Sequence, residues 1–291
     1  MSINRNIMNL KRNFKLLLLL TLFSSAQATQ ISIPLSELQM MEIGKRIWKN
    51  ECDGTISGLT SWNQGEGFPS LGIAHAIWYP AGKRDRFEES WPIMARALKI
   101  DGFPVEPWML KSCPWFTRAA FMADLNGPRL TALRALLAKS VASQARYAAQ
   151  RLEQALPKML KNLPPAEAAK VESNFVRVAK EPLGFYALID YVNFKGEGVN
   201  TAERYHGQGW GLLQVLEKMS TSGPALPAFV QAATKVLEQR VKNSPPARHE
   251  SQWLPNWKHR VRTYQATGYR LQAKIRSSTI KIETIKNSDF L

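Results

Sequence analysis

The stretch ECDGTISGLTSWNQGEGFPSLGIAHAIW, residues 51–78, decides how the chain is read. A helical pattern runs into it from the N-terminal side. Ser36 and Gln39 stand in a capping-box relation, and Met40, Ile43 and Ile47 form one apolar stripe whose next step is Glu51. The spacing predicts a helix from Glu37 to Asn50 with a carboxylate continuing its inward face. Low polarity there would raise the pKa of Glu51 and help it keep a proton. From Gly54 to Gly67 the helical period gives way to Gly, Ser, Thr, Asn and Gln, the composition of turns and a small hairpin. Ser70 to His75 then reads as a short strand, with Ile77 and Trp78 packing at its end.

On the N-terminal side, Arg5, Lys11, Arg12 and Lys15 precede an apolar run from Leu16 to Phe23, followed by Ala26-Gln27-Ala28. This is the pattern of a secretory signal over residues 1–28, cleaved after Ala28. The run is shorter than the roughly 20 apolar residues of a spanning helix. The expected location is therefore the periplasm or the outside of the cell, without integral membrane insertion after cleavage. The 291-residue chain carries a formal charge of +16, and removing the signal leaves it strongly basic. Inside a cell such a balance would suggest nucleic acid. After export the anionic partners are wall polymers, lipopolysaccharide and phospholipid surfaces, so no nucleic-acid partner is expected. Export also permits a disulfide between the two cysteines, Cys52 and Cys113, with two buried thiols or a nucleophilic Cys52 as the alternatives.

On the C-terminal side the pattern is helical almost throughout. Helices are predicted for Trp91–Ile100 and near Trp115–Leu125, Arg129–Ser143, Gln144–Leu163 and Ala166–Lys180, with Pro164-Pro165 as a stop. Phe185, Leu188, Ile189 and Val192 mark Gly184–Asn193 as a buried central helix. Further helices are predicted at Leu212–Met219, Ala225–Lys242 and Pro255–Thr267. The fold class is mainly α with a small β-hairpin or sheet near the N-terminus. One domain is expected over 29–270, enlarged by helices between about 80 and 180, with a polar tail over 271–291.

Cleaving a glycosidic bond takes a protonated acid at the leaving oxygen and a second carboxylate to activate water or attack the sugar. Glu51 is the candidate acid. Glu66, on the turn-rich segment, is the nearest candidate for the second role, and the Ser70 hydroxyl could position water. His75 offers an imidazole. Trp62 and Trp210, set among Gly and polar residues, are candidate faces for sugar rings. The chain lacks a GxSxG elbow, a phosphate loop, a dinucleotide fingerprint and a calcium loop, so neither a cofactor nor a metal is expected.

Glu51 followed by SLGIAHAIW (70–78) resembles the phage-type lysozymes, in which a catalytic Glu ends the first helix and a small sheet ends in a Thr-Ile-Gly-Ile-Gly-His segment. ALIDYVNFKGEG (187–198) looks like that family's central helix and its exit, and LPNWKHRVRTYQATG (254–268) like its C-terminal helix. The three matches occur in the same order and touch under a quarter of the chain beyond the signal. The resemblance implies a lysozyme-like α+β fold, with the catalytic acid at Glu51, the water-positioning threonine replaced by Ser70, and the neighbouring histidine at His75. The family's second acidic residue falls on Gln64, which leaves Glu66 or Glu197 for that role, and Ala74 replaces a glycine. GQGWGLLQV (207–215) is weakly similar to a segment of lytic transglycosylases. The expectation is a glycosidase acting on peptidoglycan. A lytic transglycosylase, a chitosanase-like enzyme and a non-catalytic wall-binding protein remain the alternatives.

Overall fold

A computed structural model describes residues 32–85 and 87–265. The signal over 1–28 and the tail over 271–291 lie outside the described residues.

The first helix, α1 (Glu37–Cys52), begins at a complete capping box: the Ser36 side chain accepts from the Gln39 amide, and the Gln39 side chain from the Ser36 amide. It ends where Asp53 turns left-handed, two residues beyond the predicted stop, so Glu51 lies in its last turn. A 3-10 turn at Ser57–Leu59 leads into a three-stranded antiparallel sheet of two-residue strands, β1 (Thr60–Ser61), β2 (Ser70–Leu71) and β3 (Ala76–Ile77), in the order β1-β2-β3. Ser70 pairs with Ser61 on one side and Ile77 on the other.

The expected strand over Ser70–His75 is therefore only its first two residues. Gly72 (φ +67°) and His75 (φ +48°) are both left-handed and fold the chain over before β3. What holds this turn is Gln144, a fully buried amide that accepts from the Ile73 N–H at 3.0 Å and donates to Leu137 O at 2.7 Å and Ser140 Oγ at 3.0 Å. A Cβ at Gly72 would lie 2.1 Å from that amide oxygen, so glycine is needed for space as well as for φ.

The remaining helices are α2 (Trp91–Ile100), α3 (Arg118–Ala123), α4 (Pro128–Lys139), α5 (Val141–Leu160), α6 (Pro165–Ala179), α7 (Gly184–Lys195), α8 (Leu212–Lys218), α9 (Ala225–Asn243) and α10 (Leu254–Arg262). The protein is thus mainly α with a small antiparallel sheet, as its periodicities predict. The 20-residue α5 packs closely along α1, where a Cβ at Gly44 would meet Val141 Cγ1 at 2.6 Å. α7 has nine consecutive buried residues, Gly184 to Val192, and is covered all round by α5, α6, α8 and the turn after α10. No helix among the described residues is long and apolar enough to cross a membrane.

The expected Cys52–Cys113 disulfide is absent: both thiols are free and buried. Cys52 closes α1 facing the core. Cys113 sits in a segment that bridges to Pro80, and its Sγ lies 3.5 Å from Trp115 O. Burial pushes each thiol up to about 12, so neither is a nucleophile at neutral pH.

Candidate active site

Glu51 reaches the centre of the molecule because α1 carries it there on the continuation of the Met40, Ile43 and Ile47 stripe, as its spacing predicts. Its side chain is 9% exposed. Three chain segments meet it. From α10, Arg260 Nη2 donates to Oε1 at 2.5 Å. From the end of α7, Asn193 Nδ2 donates to the same oxygen at 3.0 Å and to Ile73 O at 3.3 Å, tying the carboxylate to the turn after β2. That turn holds His75 Nδ1 at 3.4 Å from the other oxygen, Oε2, with the imidazole 40% exposed.

Behind Glu51 lies a second, fully buried carboxylate, Asp190. It takes two hydrogen bonds from Arg260, Nε to Oδ2 at 2.9 Å and Nη2 to Oδ1 at 2.8 Å, and a third from the Tyr264 hydroxyl at 2.6 Å. Asn50, next to Glu51, donates to Asp190 at 3.4 Å and to the Tyr186 hydroxyl at 2.8 Å. One guanidinium therefore serves two carboxylates, bidentate on the buried one and single on Glu51.

This arrangement reverses the expected pKa of Glu51. Burial does push the carboxyl up, but the Arg260 charge, the nearby His75 and the hydrogen bonds from Arg260 and Asn193 outweigh it and hold it below the ordinary range. Glu51 therefore rests as a carboxylate at neutral pH. The apolar face of α1 is legible from local spacing, whereas the cation arrives from 209 residues further on.

The other expected site residues are placed as follows. The Ser70 hydroxyl makes no hydrogen bond among the described residues and keeps both donor and acceptor capacity. Glu66 is partly exposed on the segment between β1 and β2, where Asn63 Nδ2 donates to it at 3.2 Å, and none of its hydrogen bonds or ion pairs runs to Glu51. Glu197, just past α7, is paired with Lys158 at 3.1 Å. Trp62 and Trp210 are core residues rather than open sugar platforms. Trp62 packs edge-on to Phe121 with its indole N–H on Glu66 O, and Trp210 is enclosed by Tyr205 and the Arg240 guanidinium.

Four contributors were not anticipated: Asp190, Asn193, Lys195 and Arg260. The sequence does carry a signal for the first, because an acidic residue inside the fully buried stretch 184–192 must have a dedicated partner. Asn193 Oδ1 is a buried acceptor with no partner among the described residues, an open valence beside the Glu51 clamp. Lys195 Nζ lies between two rings, 3.9 Å from the centroid of Phe194 and 3.5 Å from that of Trp257. Burial first, then Arg240 and Arg260, hold its ammonium well below the usual lysine range. Gln214, the glutamine of the transglycosylase-like segment, is spent on the backbone, accepting from Gly211 N–H at 3.0 Å and donating to Gly198 O at 3.1 Å. It caps the start of α8.

Comparison with protein-family models, curated proteins and solved structures finds no match to this chain.

Proposed function

We propose that the protein cleaves the glycan strands of peptidoglycan in the periplasm or outside the cell, with Glu51 donating the proton to the leaving oxygen. The observation that carries this reading is the meeting of three distant segments on one carboxylate: His75 from the turn after β2, Asn193 from α7 and Arg260 from α10. These are the same three segments whose order along the chain resembles phage-type lysozymes.

In this reading the two oxygens of Glu51 have different tasks. Oε1 is fixed by Arg260 and Asn193, which sets the plane of the carboxyl. Among the described residues Oε2 has the half-exposed His75 as its polar partner, and it is the oxygen that exchanges a proton. Because Glu51 rests ionised, the proton must be taken up as the sugar chain covers Oε2 and excludes water, the change that raises a carboxyl's pKa. The unbonded Ser70 hydroxyl holds the attacking water, and Glu66 on its loop is the second carboxylate. The chain's strong positive charge draws it to an anionic wall polymer.

One observation favours a second reading, a wall-binding protein without turnover: the Arg260 contact that keeps Glu51 ionised. Product analysis separates the two. The protein lacking residues 1–28 is incubated with purified peptidoglycan over a broad pH range, and the released sugar ends are identified by chromatography and mass. Free reducing ends are the expected outcome, and anhydro ends would move the assignment to a transglycosylase. Bound protein with no released sugar would establish the non-catalytic reading.

A further inference from the structure

A cavity of about 600 Å³ lies where the end of α5, the 199–209 connector, α8 and α9 meet. Its size falls within the roughly 300–1,000 Å³ typical of small-molecule sites. Glu51 is not among its lining residues. The floor is apolar, made by the buried side chains of Met159, Leu213 and Val236.

One wall is rigid. Gln214 is held at both ends of its amide by backbone, and the glycines around it are there because it is so close: a Cβ at Gly198 (φ +86°) would stand 2.3 Å from its Oε1. Gly198, at the end of the turn NFKGEG, and the segment GQGWG thus come together on Gln214 beside the cavity, while Asn193 at the start of that turn serves Glu51.

The charge around the opening is unbalanced. Of the three lining cations, Lys158 is paired with Glu197. Arg204 and Lys218 have no carboxylate within ion-pairing distance among the described residues, and Arg204 reaches only Gly207 O at 3.3 Å. The lining carboxyl, Glu217, is pushed up by burial and then by Glu167, against the pull of Arg204, Lys170 and Lys218. Asn162 and Thr201 are exposed on the rim with no side-chain hydrogen bond among the described residues. Two cations outside any ion pair among the described residues, polar groups on the rim and an apolar floor suit a ligand with one acidic group, amide or hydroxyl groups and an apolar face.

We infer that this cavity is a second binding site, taking a carboxylate-bearing glycopeptide fragment with its acid group at Arg204 and Lys218 and its sugar ring over the Met159–Leu213–Val236 floor. The choice of a glycopeptide rests on the proposed function. A site away from the cleaving carboxylate would keep the protein on the polymer between cleavage events, an avidity effect that needs no change at Glu51.

Calorimetric titration of the protein lacking residues 1–28 tests this, with N-acetylmuramyl dipeptide as the acidic probe and the uncharged N-acetylglucosamine dimer as its control. The acidic probe is expected to bind, and the control more weakly. The double variant Arg204→Ala/Lys218→Ala, exposed on the surface and so tolerated by the fold, is expected to weaken the acidic probe by about tenfold or more. Thr201→Trp, which fills the rim from an exposed position, is expected to abolish binding. Equal binding of both probes, wild-type affinity in the double variant, or no binding at all would each overturn the inference. Probe binding that needs Arg204 and Lys218 in a protein that releases no sugar would sustain this site while refuting the glycan-cleaving reading.

Discussion

Glu51 shows how a single residue's chemistry depends on what the chain brings to it from afar. Two carboxylates share one guanidinium, and the partly exposed His75 is the group on the other side of Glu51. Because Glu51 is held below its ordinary pKa of 4.5, the folded protein resists protonating it more than the unfolded chain does. The stabilisation is therefore fully present above about pH 4.5 and is lost as the pH falls through the depressed folded value. Urea midpoints measured from neutral to acidic pH are expected to decline below about pH 4.5, and to decline less steeply in Glu51→Gln. Equal acid slopes in the two proteins would show that Glu51 is not held ionised. The position of Glu51 was legible in the sequence, from the stripe of Met40, Ile43 and Ile47. Its ionisation was not, because Arg260 reaches it only through the tertiary fold.

At the scale of elements, the turn from Gly72 to His75 sets the geometry. Ile73 in this turn is fastened through its N–H to Gln144 from α5 and through its carbonyl to Asn193 from α7, and two residues further on the turn presents His75 to Glu51. Gly72→Ala is expected to destabilise the protein by about 1–3 kcal/mol, through its left-handed φ and the collision with the Gln144 amide and Leu137. Denaturant unfolding measures this, and an unchanged midpoint would contradict the account of the turn. Helices were the most legible elements: α1 starts at the predicted capping box and α2 has the predicted bounds. The sheet was less so. An apolar run such as Ser70–His75 reads as strand by composition, yet it turns at the left-handed Gly72 and His75, and the contacts that hold it, from Gln144 to Ile73 and from Glu51 to His75, are ones that local pattern does not contain. Trp62 and Trp210 were misplaced for a related reason. Neighbouring glycines suggested open loops, whereas Phe121 packs on Trp62, and Tyr205 and Arg240 on Trp210, from distant parts of the chain or across a turn.

For the whole molecule, helices supply the framework and the small sheet supplies one wall of the candidate site. The two cysteines illustrate what composition can and cannot carry. The signal-like N-terminal pattern made a disulfide an expectation, but Cys52 and Cys113 are free and buried. The convergence of α1, the turn after β2, α7 and α10 on Glu51 is the feature on which the functional account stands. The most direct test is release of sugar ends from purified peptidoglycan by the wild-type protein and Glu51→Gln side by side, with both confirmed folded by thermal melting. The account predicts that the substitution lowers the rate by about 10²–10⁴-fold while the protein still binds the polymer. Undiminished release by folded Glu51→Gln would contradict it.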